Sequence, residues 1–218
     1  MVDPEAFELM KPFFCEKYGN PNSLHKFGSE THPALRRAMD QLYAGINASD
    51  SDDIVVTSCA TESNNWVAKG VFFDHILNKE KDHVVISAVE HPAIAATFES
   101  LKKYGVRVSY VPVNENGLLD PNDLRKLIDD KTALVSIMWA NNETGTIFPI
   151  KECAAIAHEY GALFHTDATQ TVGKIKINVR EMGMDFMSFS AHKFHGPKGV
   201  GGLYIKDSQN LTSLLHGG

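Results

Sequence analysis

The chain has 218 residues, room for one large domain or for one domain and part of another. Hydrophobic residues make up 43% and charged residues 22%, too apolar a balance for disorder, and no apolar run approaches the roughly 18 residues that a membrane-spanning helix needs. A net charge of −6, with basic clusters no longer than the pairs Arg36-Arg37 and Lys102-Lys103, argues against a general nucleic-acid binder.

The start, Met1-Val2-Asp3-Pro4-Glu5, has neither the basic nor the apolar region of a secretory signal, so the expected compartment is the cytoplasm. Asp3 and Pro4 read as the N-cap and first turn of a helix that ends near Tyr18-Gly19. Helical patterns follow over 30–42, 62–77, 93–104, 121–128 and 150–160. Between them lie β-branched, apolar runs of strand length at 54–57, 84–87, 106–113, 133–139, 162–165, 186–189 and 200–205. Most of these runs lack polar alternation, as strands covered on both faces should. Tyr104-Gly105 and Tyr160-Gly161 read as helix stops in which glycine takes the left-handed cap. The expected fold is α/β: a mostly parallel seven-stranded sheet sandwiched by helices. Cys15, Cys59 and Cys153 are too few and too far apart for a disulfide framework or a zinc knuckle, and read as small, mostly buried hydrophobes.

In such a sheet a ligand sits beyond the carboxyl ends of the strands, so the residues after each strand carry the functional signal. Ser58-Cys59-Ala60-Thr61-Glu62 enters a helix and offers free N–H groups and hydroxyls to an anion, or simply caps that helix. No Walker A or G-x-G-x-x-G sequence follows any strand. Ser87 and Glu90 fit a capping box and Pro92 a first helical turn, which leaves His91 unexplained at a strand's end. Asn141-Asn142-Glu143-Thr144-Gly145 and Thr166-Asp167-Ala168-Thr169-Gln170 are two more polar strand ends, and Asp167 is either a cap or a functional acid. Lys193 follows an apolar strand and precedes a glycine-rich turn, where partial desolvation turns a lysine into a nucleophile. A phosphate site, a histidine, an acid and a lysine together are what pyridoxal phosphate needs.

Ser190-Ala191-His192-Lys193, joined to Gly196-Pro197-Lys198-Gly199, closely resembles the corresponding segment of the cysteine desulfurases, which are class V aminotransferase-like, fold-type-I pyridoxal-phosphate enzymes. Thr166-Asp167-Ala168-Thr169-Gln170, Glu90-His91-Pro92, Ala60-Thr61-Glu62-Ser63-Asn64, Tyr18-Gly19-Asn20-Pro21 and the terminal His216-Gly217-Gly218 extend the resemblance over essentially the whole chain. It implies pyridoxal 5′-phosphate as cofactor, Lys193 as the Schiff-base lysine, Asp167 as partner of the pyridine nitrogen, and His91 as the ring-stacking residue and an acid/base. It implies contacts to the ring's phenolic oxygen and the substrate side from Gln170 and Asn142, and phosphate contacts from Ala60, Thr61, Ser190 and His192. Cys59 stands where many relatives have glycine.

The implied reaction removes sulfur from L-cysteine, giving L-alanine and an enzyme persulfide for a sulfur acceptor or scaffold protein of iron–sulfur assembly, in a homodimer without nucleic-acid, membrane or metal partners. The family also has an Asn-rich segment before the first helix, an Arg-Ser-Gly-Thr segment, and a small C-terminal domain with a nucleophilic cysteine and a carboxylate-binding arginine. These are missing from the sequence, so residues 1–218 are expected to be an incomplete pyridoxal-phosphate-binding large domain, inactive or partial alone, and Cys15, Cys59 and Cys153 match none of the nucleophile's context. The alternatives are a selenocysteine lyase or another class V enzyme, a partner-binding remnant of the fold, and a metal-dependent hydrolase on His165, Asp167, His192 and His195, which lacks any familiar ligand spacing.

Overall fold

All seven expected strands form in the computed structural model, which describes residues 1–77, 80–207 and 209–217, so Gly218 of the terminal motif lies outside the described residues. They are β1 (Asp53–Thr57), β2 (His83–Ser87), β3 (Arg107–Val111), β4 (Thr132–Ser136), β5 (Leu163–Asp167), β6 (Phe186–Ser190) and β7 (Gly201–Ile205). They join into one sheet of order β1-β7-β6-β5-β4-β2-β3. β2, β3, β4, β5 and β6 pair in parallel, and β7 runs antiparallel between β6 and β1. Strand direction follows from the connection, and β7 arrives through the short turn after β6 rather than through a crossover helix.

The helices cover both faces: α4 (His32–Ile46), α5 (Ala60–Val71), α6 (Pro92–Leu101), α7 (Pro121–Leu127) and α8 (Ile150–Glu159), with short pieces α1 (Pro4–Met10), α2 (Pro12–Cys15), α3 (Lys26–Ser29) and α9 (Val179–Met182). One buried cluster holds Val85, Val135, Phe164, Met187 and Tyr204; the other holds Val84, Ile86, Leu134, Phe186 and Leu203. Neighbouring residues of one strand fall in opposite clusters, as the period of two requires of a sheet covered on both faces. Gly105 (φ +90°) and Gly161 (φ +65°) end their helices in the left-handed region, as the sequence suggested.

Two expectations fail locally. The first helix breaks at Lys11, because Pro12 has no N–H to give the ladder and starts a new turn instead; helical structure there ends at Cys15 rather than near Tyr18. Ser87 and Glu90 form no capping box: the N-cap of α6 is His91, and Glu90 turns inward.

Candidate active site

β1, β2, β4, β5 and β6 end on the same side of the sheet, and their following turns enclose a cavity of about 290 Å³. Its lining contains all nine sequence-predicted residues: Ala60, Thr61, His91, Asn142, Asp167, Gln170, Ser190, His192 and Lys193. Cys59, Asn64 and Thr169 complete it.

The first wall is the N-terminus of α5. Its N-cap, Cys59, makes no side-chain cap hydrogen bond, which leaves the opening N–H groups for a ligand. Burial alone would raise the Cys59 thiol, but the Glu62 and Thr61 N–H groups facing it, with the Ser58 and Thr61 hydroxyls, favour the thiolate more, and the net shift is downward. The same donors favour any anion placed there, as a helix N-terminus should. On the opposite wall the Ser190 hydroxyl pairs with His192 Nδ1 (3.0 Å).

The floor is Asp167, at the end of β5 and only 5% exposed. Its Oδ2 accepts from Asn64 Nδ2 (2.7 Å) and its Oδ1 from the Thr169 N–H (3.0 Å). Two residues earlier His165 is fully buried, its ring nitrogens paired with the Ser136 (2.8 Å) and Ser188 (3.0 Å) hydroxyls. Burial pushes His165 well below its ordinary value, so it supplies no positive charge to Asp167 from within the sheet. Among the described residues the Asp167 side chain is held by these two neutral donors and by no cation. Asn64 Oδ1 and Thr169 Oγ1 are buried there without hydrogen-bond partners among the described residues.

His91 caps α6: its Nδ1 accepts the Ala93 N–H (3.1 Å), so the remaining proton of the neutral ring sits on Nε2. Asn142 Nδ2 donates to Glu143, and Gln170 Oε1 accepts from Lys174 Nζ (2.9 Å). Lys193 lies at the mouth and is exposed, so the desolvation that the sequence suggested does not come from burial within this chain. Among the cysteines, Cys15 is exposed outside the cavity, and Cys153 is buried, its thiol pushed up to about 12 by burial. His165 is committed inside the sheet, and among the described residues no group of three or more His, Cys, Asp or Glu side chains is placed to hold a metal, so the hydrolase alternative finds no ligand set. No described helix is long and apolar enough to cross a membrane.

Sequence reasoning missed Asn64 and Thr169 as cavity residues. Asn64 lies one turn after Ala60, on the same face of α5, and Thr169 is the residue whose N–H the Asp167 side chain reaches two positions on. Both spacings were legible.

This α/β sheet brings a helix N-terminus, a buried acid and a lysine to one set of strand ends, and the sequence profile of the aminotransferase class-V family matches residues 1–218. The chain belongs to that family. It is 50% identical over 214 residues to "Cysteine desulfurase IscS" of Dictyoglomus turgidum, covering 98% of this chain and 54% of the relative. It is 47% identical over 218 residues to the cysteine desulfurase of Gluconacetobacter diazotrophicus, covering 54% of that protein. Among solved structures, a NifS-like protein superposes on the whole chain with a TM-score of 0.94 at 43% identity, over 59% of its own length. "SspA in complex with cysteine" does so at 0.94 and 36%, over 62% of its length. The chain thus spans about half the length of the curated relatives it matches.

Proposed function

We propose that residues 1–218 are the pyridoxal-phosphate-binding large domain of a cysteine desulfurase. One observation carries this reading: nine residues scattered from Ala60 to Lys193 in sequence line a single cavity, with a buried carboxylate as its floor. The residues fit the cofactor. Orphaned N–H groups at α5, with Ser190 and His192, suit a phosphate, and Asp167 lacks an internal cation and suits a protonated pyridine nitrogen.

Bound there, pyridoxal phosphate supplies an electron sink for the carbanion that forms when an amino acid loses its α-proton. Ala60, Thr61, Ser190 and His192 would hold the phosphate. Asp167 would keep a proton on the pyridine nitrogen, with Asn64 and the Thr169 N–H fixing the carboxylate's orientation. His91, its proton on Nε2, would pack against the ring, and Gln170 and Asn142 would offer hydrogen bonds at the substrate side. Lys193 would anchor the cofactor through Nζ, and the same amine would take up the α-proton.

The overall reaction is L-cysteine plus an enzyme thiol giving L-alanine and a persulfide. The Cβ–S bond breaks, an S–S bond forms, and the carbon keeps the electron pair and takes a proton. The thiol must act as thiolate, which rules Cys153 out. Homodimerisation belongs to the same reading. Phe14 (67%), Tyr18 (69%), Leu24 (106%) and Phe27 (59%) are exposed near the N-terminus, an apolar surface suited to a second copy. Delivery of sulfur to an acceptor or scaffold protein of iron–sulfur assembly in the cytoplasm completes the proposal.

Titration with pyridoxal phosphate, followed by visible absorption, tests the cofactor assignment; saturable binding with a new visible band is expected. Alanine and sulfide released from L-cysteine, against selenide from selenocysteine, test the substrate. Absence of any saturable cofactor binding to the folded chain would overturn the reading.

A further inference from the structure

Glu90 is a buried acid (9% exposed) that no step above uses. Its Oε1 accepts two short hydrogen bonds, from the Ser87 hydroxyl (2.6 Å) at the end of β2 and from the Met138 N–H (2.6 Å) just beyond β4. A second link, from Asn141 Nδ2 to the Val89 carbonyl (3.4 Å), joins the same two turns. One turn carries His91 and the other Asn142, the two residues shared by the cofactor cavity and an adjoining cavity of about 440 Å³ that Glu90 lines. The junction continues into the floor of the site, because the Trp139 N–H donates to the Asp167 carbonyl (3.0 Å).

The charge state of Glu90 follows from what surrounds it. Among the described residues Oε2 has no hydrogen-bond partner, and no lysine or arginine forms an ion pair with the carboxyl. The titratable groups nearby are His91 in the same turn, Glu143 in the turn after β4 and Asp167 at the end of β5. Two of the three are acids, and Asp167 opposes a second negative charge. Burial first, then Asp167, pushes Glu90 up to about 8 against the partial relief of its two hydrogen bonds.

We propose that Glu90 is a positioning residue of the cofactor site: its carboxyl clamps the His91 turn to the Met138–Asn142 turn. This rests on the cofactor reading above in one respect, that the positioned residues serve a bound cofactor. A neutral carboxyl has the shape and hydrogen-bonding pattern of an amide, with Oε1 accepting as before and the Nε2 of glutamine in the place of Oε2–H. Glu90→Gln therefore preserves the clamp and removes its pH sensitivity, whereas Glu90→Ala leaves the Ser87 hydroxyl and the Met138 N–H unpaired.

The sign is fixed by linkage. Below the ordinary carboxyl value of 4.5 the folded and unfolded chains both hold the proton, and the full contribution is present. As pH rises toward about 8 the unfolded chain releases it while the folded chain does not, so stability falls.

The test compares the 218-residue chain with Glu90→Gln and Glu90→Ala, by pyridoxal-phosphate titration at pH 6 and pH 9 and by thermal unfolding from pH 5 to pH 9. At pH 6 Glu90→Gln should bind within about twofold of the parent and Glu90→Ala at least about tenfold more weakly. Between pH 5 and 8 the parent should lose roughly 5 °C or more relative to Glu90→Gln. At pH 9 its cofactor affinity should fall about fivefold or more below that of Glu90→Gln. Parallel stability curves for parent and Glu90→Gln, or equal loss of affinity in both variants at pH 6, would overturn the proposal. If the parent binds no cofactor, the cofactor reading fails by itself, and the stability comparison still decides the role of Glu90.

Discussion

Asp167→Asn separates a functional acid from a helix cap. In the native site both Asp167 oxygens accept, one from Asn64 Nδ2 (2.7 Å) and one from the Thr169 N–H (3.0 Å). The substituted amide keeps one oxygen, and it stays on the Thr169 N–H. Its NH2 then faces Asn64, which has a repair at hand: Asn64 Oδ1 is buried without a partner, so a flip of the Asn64 amide presents that oxygen to the new donor. The pair is restored, and the loss of stability should stay below about 1 kcal/mol, a fall of about 2–4 °C for a chain of this size. Cofactor binding has no such repair. A charge-assisted hydrogen bond in a largely dry site contributes about 1.5–3 kcal/mol, and at 1.4 kcal/mol per factor of ten the variant should bind pyridoxal phosphate about 10- to 150-fold more weakly. Absorbance titration and differential scanning calorimetry on one preparation read both numbers. Affinity within twofold of the parent, or a fall in Tm beyond about 8 °C, would refute the reasoning and leave Asp167 as a structural cap.

Alkylation of Cys59 by iodoacetamide should be slowed several-fold by saturating pyridoxal phosphate, and measurably by inorganic phosphate, because thiolate and phosphate share the N–H groups that open α5; equal labelling rates with and without either ligand, followed by peptide mass mapping, would remove the phosphate from that terminus. Gly202→Ala should lower Tm by about 4–12 °C, since its Cβ would lie 2.2 Å from Cζ of Phe189 in the buried centre of the sheet, an overpacking worth about 2–3 kcal/mol; unfolding followed by circular dichroism checks it. Asn64→Leu should weaken cofactor binding without abolishing it, as Asp167 loses one of its two orienting donors but keeps the Thr169 N–H, and the same absorbance titration measures the loss.

Much of the fold was legible because local chemistry and global structure agree. Most strands carry a short apolar run, and the turns after them on the site side bring in polar residues, as at Ser58 to Thr61 and Thr166 to Gln170, so the topology could deliver those turns to one place. The failures have two kinds. Pro12 broke a helix at a position the sequence itself marks, so that break was readable. Glu90 was different. Ser87 and Glu90 satisfy a local capping pattern, and Glu90 does bond Ser87, but the partner that decides its role is the Met138 N–H, 48 residues away on another strand. The reversal of β7 follows from the short turn that joins it to β6, whereas its placement beside β1 rests on pairing across most of the chain, which no local pattern encodes.

The central claim is that Lys193 holds a pyridoxal-phosphate cofactor above Asp167. Borohydride reduction of the saturated chain makes that attachment permanent, and proteolysis with mass spectrometry locates it. One modified peptide is expected, carrying the reduced cofactor on Lys193, and none in Lys193→Ala. Modification of Lys198 instead, or an unmodified Lys193 in a folded, cofactor-saturated sample, would contradict it.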